Sequence, residues 1–248
     1  MDTGMRVAEL PAGRAFGWIA ESFRMFRRRP LQWIGLCAGW IGITFGLLLI
    51  PFLGGVVANF LQPVFFASFA IAAYKQSAGE RIVMADLFAG FRRNVRSLVN
   101  LGALLLLAYL GIAALMVALG LPLAGDGEQA MTVEEYLDTL QGKEWILMVG
   151  FALAVVVKGA LWFAPPLIAF HGMSTTHAMR WSAYATLANI GVMALYGVTI
   201  TLLFFVATLP WALGLVVVLP LMAISTYVSY REIFESAPPP GPGESTPG

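Results

Sequence analysis

"LQWIGLCAGWIGITFGLLLIPFLGGVVANFLQPVFFASFAIAAYK" (residues 31–75) is two long apolar runs parted by a single proline, Pro51. Each run reaches the roughly 20 residues a helix needs to cross about 30 Å of hydrocarbon. Arg27, Arg28 and Arg29 stand before the first run and Lys75 closes the second. Such a pair reads as a membrane hairpin, not as the core of a soluble domain.

The pattern continues along the chain. Six spans can be drawn, at 31–50, 52–74, 98–120, 145–170, 189–209 and 211–230, the last pair turning at Pro210 as the first does at Pro51. Composition agrees: 59% of the 248 residues are hydrophobic and 12% charged, against about 25% charged in soluble domains. A net charge of +1 gives no argument for nucleic acid as a partner. The single Cys37 lies in an apolar run, so a disulfide framework or cysteine metal site is not expected. The first run follows thirty residues and an arginine cluster, which reads as a retained anchor and not a cleaved signal peptide.

Charge sets the expected orientation. Arg6, Arg14, Arg24, Arg27, Arg28 and Arg29 precede span one, and Lys75, Arg81, Arg92, Arg93 and Arg96 lie between spans two and three. The segment 121–144 carries Asp126, Glu128, Glu134, Glu135, Asp138 and Glu144 against Lys143 alone. Basic loops stay inside, so both termini are expected in the cytoplasm and the acidic loop outside. Thr132 and Glu135 have the spacing of a capping box, which predicts a short acidic helix in that loop.

Ahead of each hairpin stands a stretch with helical periodicity. Phe16, Ile19, Phe23 and Phe26 share one face of the first, with Arg14, Glu21, Arg24 and Arg28 largely opposite. Met84, Leu87, Phe91, Val95 and Leu98 stripe the second; Ala178, Trp181, Tyr184 and Ala188 stripe the third, with Ser174 as its expected N-cap. Helices of this kind lie in the headgroup plane. Each returning span also carries proline: Pro63, then Pro165 and Pro166, then Pro220. The chain thus reads as three copies of an interfacial helix plus a hairpin (about 14–75, 82–170 and 174–231) in one membrane domain, 1–236. A Pro/Gly-rich tail, 237–248, is expected to be disordered. Proline removes a backbone donor and pushes away the carbonyl four residues earlier. The kinks could line a polar cleft, or merely let helices splay and pack; kinks alone carry no chemistry.

Two features invite a functional reading. Gly35, Gly39, Gly42 and Gly46 share a face of span one, where backbones can approach closely. That face suits either packing within the chain or a second copy, and Cys37 beside it should report crosslinking. Lys158 falls near the middle of span four, where a charge costs about 2.5–3.5 kcal/mol on insertion scales. It must face the bundle interior or a wet cavity, or carry no charge. No Asp or Glu lies within the spans as drawn, leaving Asn59, Gln62, Asn100, Asn189, Thr44, Thr199, Thr201 and carbonyls freed by proline as partners. Of these Asn59, Gln62 and Asn189 are the expected co-ligands of an anionic group such as a phospholipid phosphate. His171 and His177 lack nearby carboxylates or cysteine for a metal site. Ser174 beside His177 lacks an orienting acid and an oxyanion loop. No catalytic residue, cofactor or metal is therefore expected.

The run "WFAPPLIAFHGMSTTHAMRWSAYATLANIGVMALYGV" (162–198) resembles a family of uncharacterised bacterial inner-membrane proteins. The matching positions are Trp162, Phe163, Ala164, Pro165, His171, Gly172, Ala178, Ser182, Asn189 and Tyr196; "SFRMFRRRPLQWIGL" and "YVSYREIF" are similar to the family's ends. The architecture also resembles the membrane domain of some glycerophosphodiester phosphodiesterases, without a catalytic domain. The resemblance implies an integral membrane protein and transfers no activity. Together these readings give an all-α, six-span inner-membrane protein. Its expected role is non-enzymatic: binding or helping to move a lipid-like or anionic small ligand. The alternative is a structural or assembly partner of another membrane complex, or of a second copy of itself.

Overall fold

A computed structural model describes residues 6–121, 140–209 and 211–235. Pro210, the capping box and the acids Asp126, Glu128, Glu134, Glu135 and Asp138, and the tail 237–248 lie outside the described residues. The described chain is all helix: α1 (Arg14–Arg28), α2 (Pro30–Leu48), α3 (Leu53–Ser77), a 3₁₀ helix (Met84–Arg92), α4 (Val95–Ala118), α5 (Glu144–Ala160), α6 (Ala164–His171), α7 (Thr175–Ala188), α8 (Ile190–Thr208), α9 (Leu215–Tyr230) and a π turn (Arg231–Glu235). Six stretches are long and apolar enough to cross a membrane, with α5 and α6 together making the fourth.

The centre is built from α3, α6 and α9. α3 packs on α2, α4, the 3₁₀ helix, α6 and α9, while α9 also meets α1, α2 and α8. Small residues let these backbones close up: Ala67, Ala70, Ala72 and Ala73 on α3, Ala164 and Ala169 on α6, Ala223 and Ser225 on α9, all buried. Near their C-terminal ends three rings meet pairwise. Tyr74, Phe170 and Tyr227 have centroids 5.7 to 6.2 Å apart. They end the similar strings IAAY, LIAF and ISTY, one on each helix.

The first amphipathic stretch folds as α1, and its apolar stripe divides: Phe26 is buried and Ile19 packs on the core, while Phe16 and Phe23 face outward. Ala15, Trp18, Ser22, Met25 and Phe26 are buried, whereas Phe16 and Phe23 are exposed, Arg27 lying over the Phe23 ring. Acids in the π turn after α9 and within α1 hold that face against the core. Arg14 Nε donates to Glu232 at 2.6 Å, Trp18 Nε1 donates to the same carboxylate at 2.7 Å, and Arg231 donates to Glu21 at 2.7 Å. The Glu232 bond holds the Arg14 guanidinium above its ordinary pKa. The second stretch is not an α-helix: Leu87 and Leu98 are buried but Met84 and Val95 are exposed. A 3₁₀ winding and a left-handed Asn94 at φ 43° break the 3.6-residue period. Gly90 needs no side chain there, because a Cβ would stand 2.2 Å from the Val64 carbonyl of α3. The third stretch folds as α7; Ser174 occupies the N-cap position but makes no side-chain capping bond.

Candidate functional site

Span four holds the site because its helix is interrupted. Proline cannot donate, so the ladder would lose bonds at Pro165 and Pro166 in any continuous helix. The chain instead turns at Leu161–Phe163 and restarts as α6, placing both prolines in the first turn, where the missing donors are not needed. The groups freed by the turn are taken up by α7. Ser182 Oγ accepts the Phe163 N–H at 2.9 Å, and Thr186 Oγ1 donates to the Gly159 carbonyl at 2.9 Å. Trp162 Nε1 donates to Ser229 of α9 at 3.2 Å, tying the turn to the core. Gly172, at φ 65°, ends α6 with its N–H on the Ile168 carbonyl. α3 and α9, by contrast, run as helices through Pro63 and Pro220.

The turn leaves α5 packed on α4 and α7 but standing off α3. Between α3 and α5 lies a cavity of about 30 Å³ lined by Gln62, Pro63, Phe66, Leu105, Lys158, Leu161, Trp162 and Pro165. That is room for about two or three waters. Lys158 is half-buried, its Nζ 5.3 Å from the centre of the Phe66 ring. Its only charge-related contact among the described residues is this ring face. Gln62, one turn from Phe66 on the same helix, also has no hydrogen-bond partner among the described residues. A lysine and an amide therefore line one small, otherwise apolar space. That arrangement can hold an acceptor-rich, negatively charged group in low dielectric, where such contacts are strongest.

The other expected partners go elsewhere. Asn59 donates to the Gly55 carbonyl within its own helix. Asn189 is 2% exposed and binds the N-terminal segment, accepting the Leu10 N–H at 2.9 Å and donating to the Ala8 carbonyl at 2.9 Å. Thr44, Thr199 and Thr201 each bond to the carbonyl four residues back. His171 shares a hydrogen bond with the Tyr230 hydroxyl at 2.6 Å, and His177 Nε2 accepts from Trp181. Of the glycine face, Gly35 and Gly39 meet Met84 and Leu87 of the 3₁₀ helix, while Gly42 and Gly46 have nothing within 4 Å. Cys37 is 4% exposed, turned into the core, and cannot report that open face. Sequence reasoning named Ser182 without its role in the turn, and missed Thr186 and Glu232. Hydroxyls at i and i+4 on α7 were a signal for the first two once the turn is known.

A protein of Burkholderia thailandensis named probable inner membrane protein is 26% identical over 236 residues, covering 90% of this chain and 84% of that one. This chain is a multi-pass inner-membrane protein. The similarity and the six apolar helices agree on that, and the relative's name assigns no activity. No family model matches the chain, and no solved structure does so significantly.

Proposed function

We propose that the protein is a non-enzymatic membrane protein that binds, or helps to move, a lipid-like molecule with an anionic group, held by Lys158 with Gln62. The observation that carries this is the cavity itself: a lysine deep in an apolar span, without a carboxylate partner among the described residues, faces an amide that is also unpaired. An intramembrane charge is costly, so an anion that neutralises it returns that cost. Native mass spectrometry of gently solubilised protein tests it. A lipid-mass adduct on the wild type is expected to vanish in Lys158→Met, with folding intact. Equal adduct on both proteins would sink the reading.

We further propose that both termini are cytoplasmic, since α1 and the loop after α3 carry most of the arginines. An alkaline phosphatase fusion after residue 248 should be inactive in cells. A second role, as a partner for another copy or another membrane protein, has one observation in its favour. Gly42 and Gly46 stand open beside exposed Phe45, Leu48 and Leu49. Phe45→Cys in a Cys37→Ser background should then crosslink in membranes, and its failure would remove that role.

A further inference from the structure

Each interfacial segment docks mainly on the pair of spans behind it in the chain, not on the pair it leads into. The 3₁₀ helix packs on α3 above all, and α7 on α6 and α5. Each carries a small buried residue that hydrogen-bonds to the span it meets. Gly90 of the 3₁₀ helix donates its N–H to Ser68 of α3 at 2.8 Å, and Ser182 of α7 accepts from Phe163. α1 has no spans behind it in the chain. It packs mainly on α9 and also on α8, the last pair, with Ser22 buried on its docked face. α2, only one residue further along the chain, receives a minor contact. The segment before the first pair thus takes, at the last pair, the place that the other two segments take at theirs.

Span five depends on that arrangement. α8 buries only Val192, Tyr196 and Ala207 and packs chiefly on α9 and α1. The turn after Thr208 joins α8 to α9 at one end of the pair. At the other end the two are joined by residues 8–18. Asn189, where α8 begins, accepts the Leu10 N–H and donates to the Ala8 carbonyl, both at 2.9 Å. The Ala8 N–H donates in turn to the Ile233 carbonyl of the π turn at 2.8 Å. One residue, Ala8, therefore ties both ends together through its own peptide groups. Trp18 does the same with its ring, donating from Nε1 to Glu232 while it meets the Tyr196 ring of α8 edge-on at 5.8 Å. None of these contacts needs the covalent link to α2.

We propose that residues 6–28 are a strap belonging to the last pair of spans, which latches span five onto span six by contact alone. With the strap in place, three units close into a ring, each a pair of spans with one interfacial segment docked on it. With the strap released, α8 keeps only α9 and a small contact with α7, while α4 retains its packing on α3 and α5. The strap is thus a conformational latch on one span. None of its residues lines the Lys158 cavity, so it stands whether or not an anion binds there.

Hydrogen exchange of the full-length protein in phosphatidylcholine nanodiscs tests the latch. Ala8→Pro combined with Leu10→Pro deletes both strap donors and leaves α8 and α9 untouched. Amides in the first turns of α8 should exchange about tenfold faster, equivalent to about 1.4 kcal/mol of easier local opening. Those in the first turns of α4 should keep their wild-type rates. Trp18→Ala should act in the same direction, and Phe16→Ala, on the outward face of α1, should change nothing. A circular permutant tests separability. It joins residue 248 to residue 1 and opens the chain between Arg29 and Pro30, with three arginines added before Pro30 to keep that span's orientation. A monodisperse peak and wild-type exchange in α8 are expected. Wild-type exchange in the double proline variant would overturn the strap. Equally faster exchange in α4, or loss of folding by that variant, would make residues 6–28 part of the common core, and the latch falls. A permutant that aggregates, or exchanges in α8 as the proline variant does, means that α1 works only when tethered to α2, and the separable joint falls.

Discussion

In the second span, only Gly54 is buried among the ten residues before Pro63, and all eleven from Pro63 to Ala73 are buried. Span four repeats the contrast. Only Ile146 and Gly150 are buried between Glu144 and Trp162, then everything from Phe163 to Ala169. In α9 burial becomes nearly continuous from Pro220. Each returning span is thus two half-helices of different character, joined at or beside its proline. The halves nearer the termini are small-residue helices packed on one another; the halves beyond are Val- and Leu-rich helices facing outward. Lys158 stands five residues before the switch in span four, on the open side of it.

Variants on either side of the prolines should differ most where backbone meets backbone. Gly90→Leu puts a side chain against the Val64 carbonyl, where even a Cβ would stand 2.2 Å away. It is expected to prevent folding altogether, read as loss of a monodisperse peak in detergent. Next in size, Ile224→Ala, at a site with 0% exposure, should cost about 2–5 kcal/mol. Its counterpart Val156→Ala, on the open half, should stay within about 0.5 kcal/mol. Reversible unfolding in mixed detergent compares the two, and equal costs would erase the distinction between halves.

A smaller effect tests the joint itself. Ser182→Ala leaves the buried Phe163 N–H without its acceptor and should cost about 1–3 kcal/mol. Ala185→Ser, one turn further along α7, should not compensate. Smallest of all, Gly42→Ala meets nothing within 4 Å and should leave stability within about 0.5 kcal/mol. Gly39→Ala meets Leu87 at 3.1 Å and should cost more, because that half of the glycine face is already occupied.

The spans were legible because hydrocarbon imposes a length and a composition that local sequence must satisfy by itself. Lys158 was legible for the same reason, since a charge inside such a run stands out. Gln62 could be named but not chosen from Asn59 and Asn189, because polarity alone does not say which way a side chain turns. Asn189 is used up by the backbone of Ala8 and Leu10, 181 and 179 residues away. Which face of α1 meets the rest of the chain was not legible, because Phe and Trp are equally apolar. The choice between them rests on Glu232, more than two hundred residues on, which accepts from Arg14 and Trp18.

By itself, then, the sequence determined an all-helical chain with six apolar spans, the prolines in its returning helices and one lysine without an acid in its neighbourhood. Only the tertiary structure decided that span four breaks at Leu161–Phe163 and that α7 hydroxyls satisfy the break. It also decided that Lys158 and Gln62 share a cavity while Asn59 and Asn189 do not. The physical reason is range. Membrane insertion is set by the hydropathy of contiguous residues, whereas a site is set by which backbones come close enough to turn two side chains towards the same space.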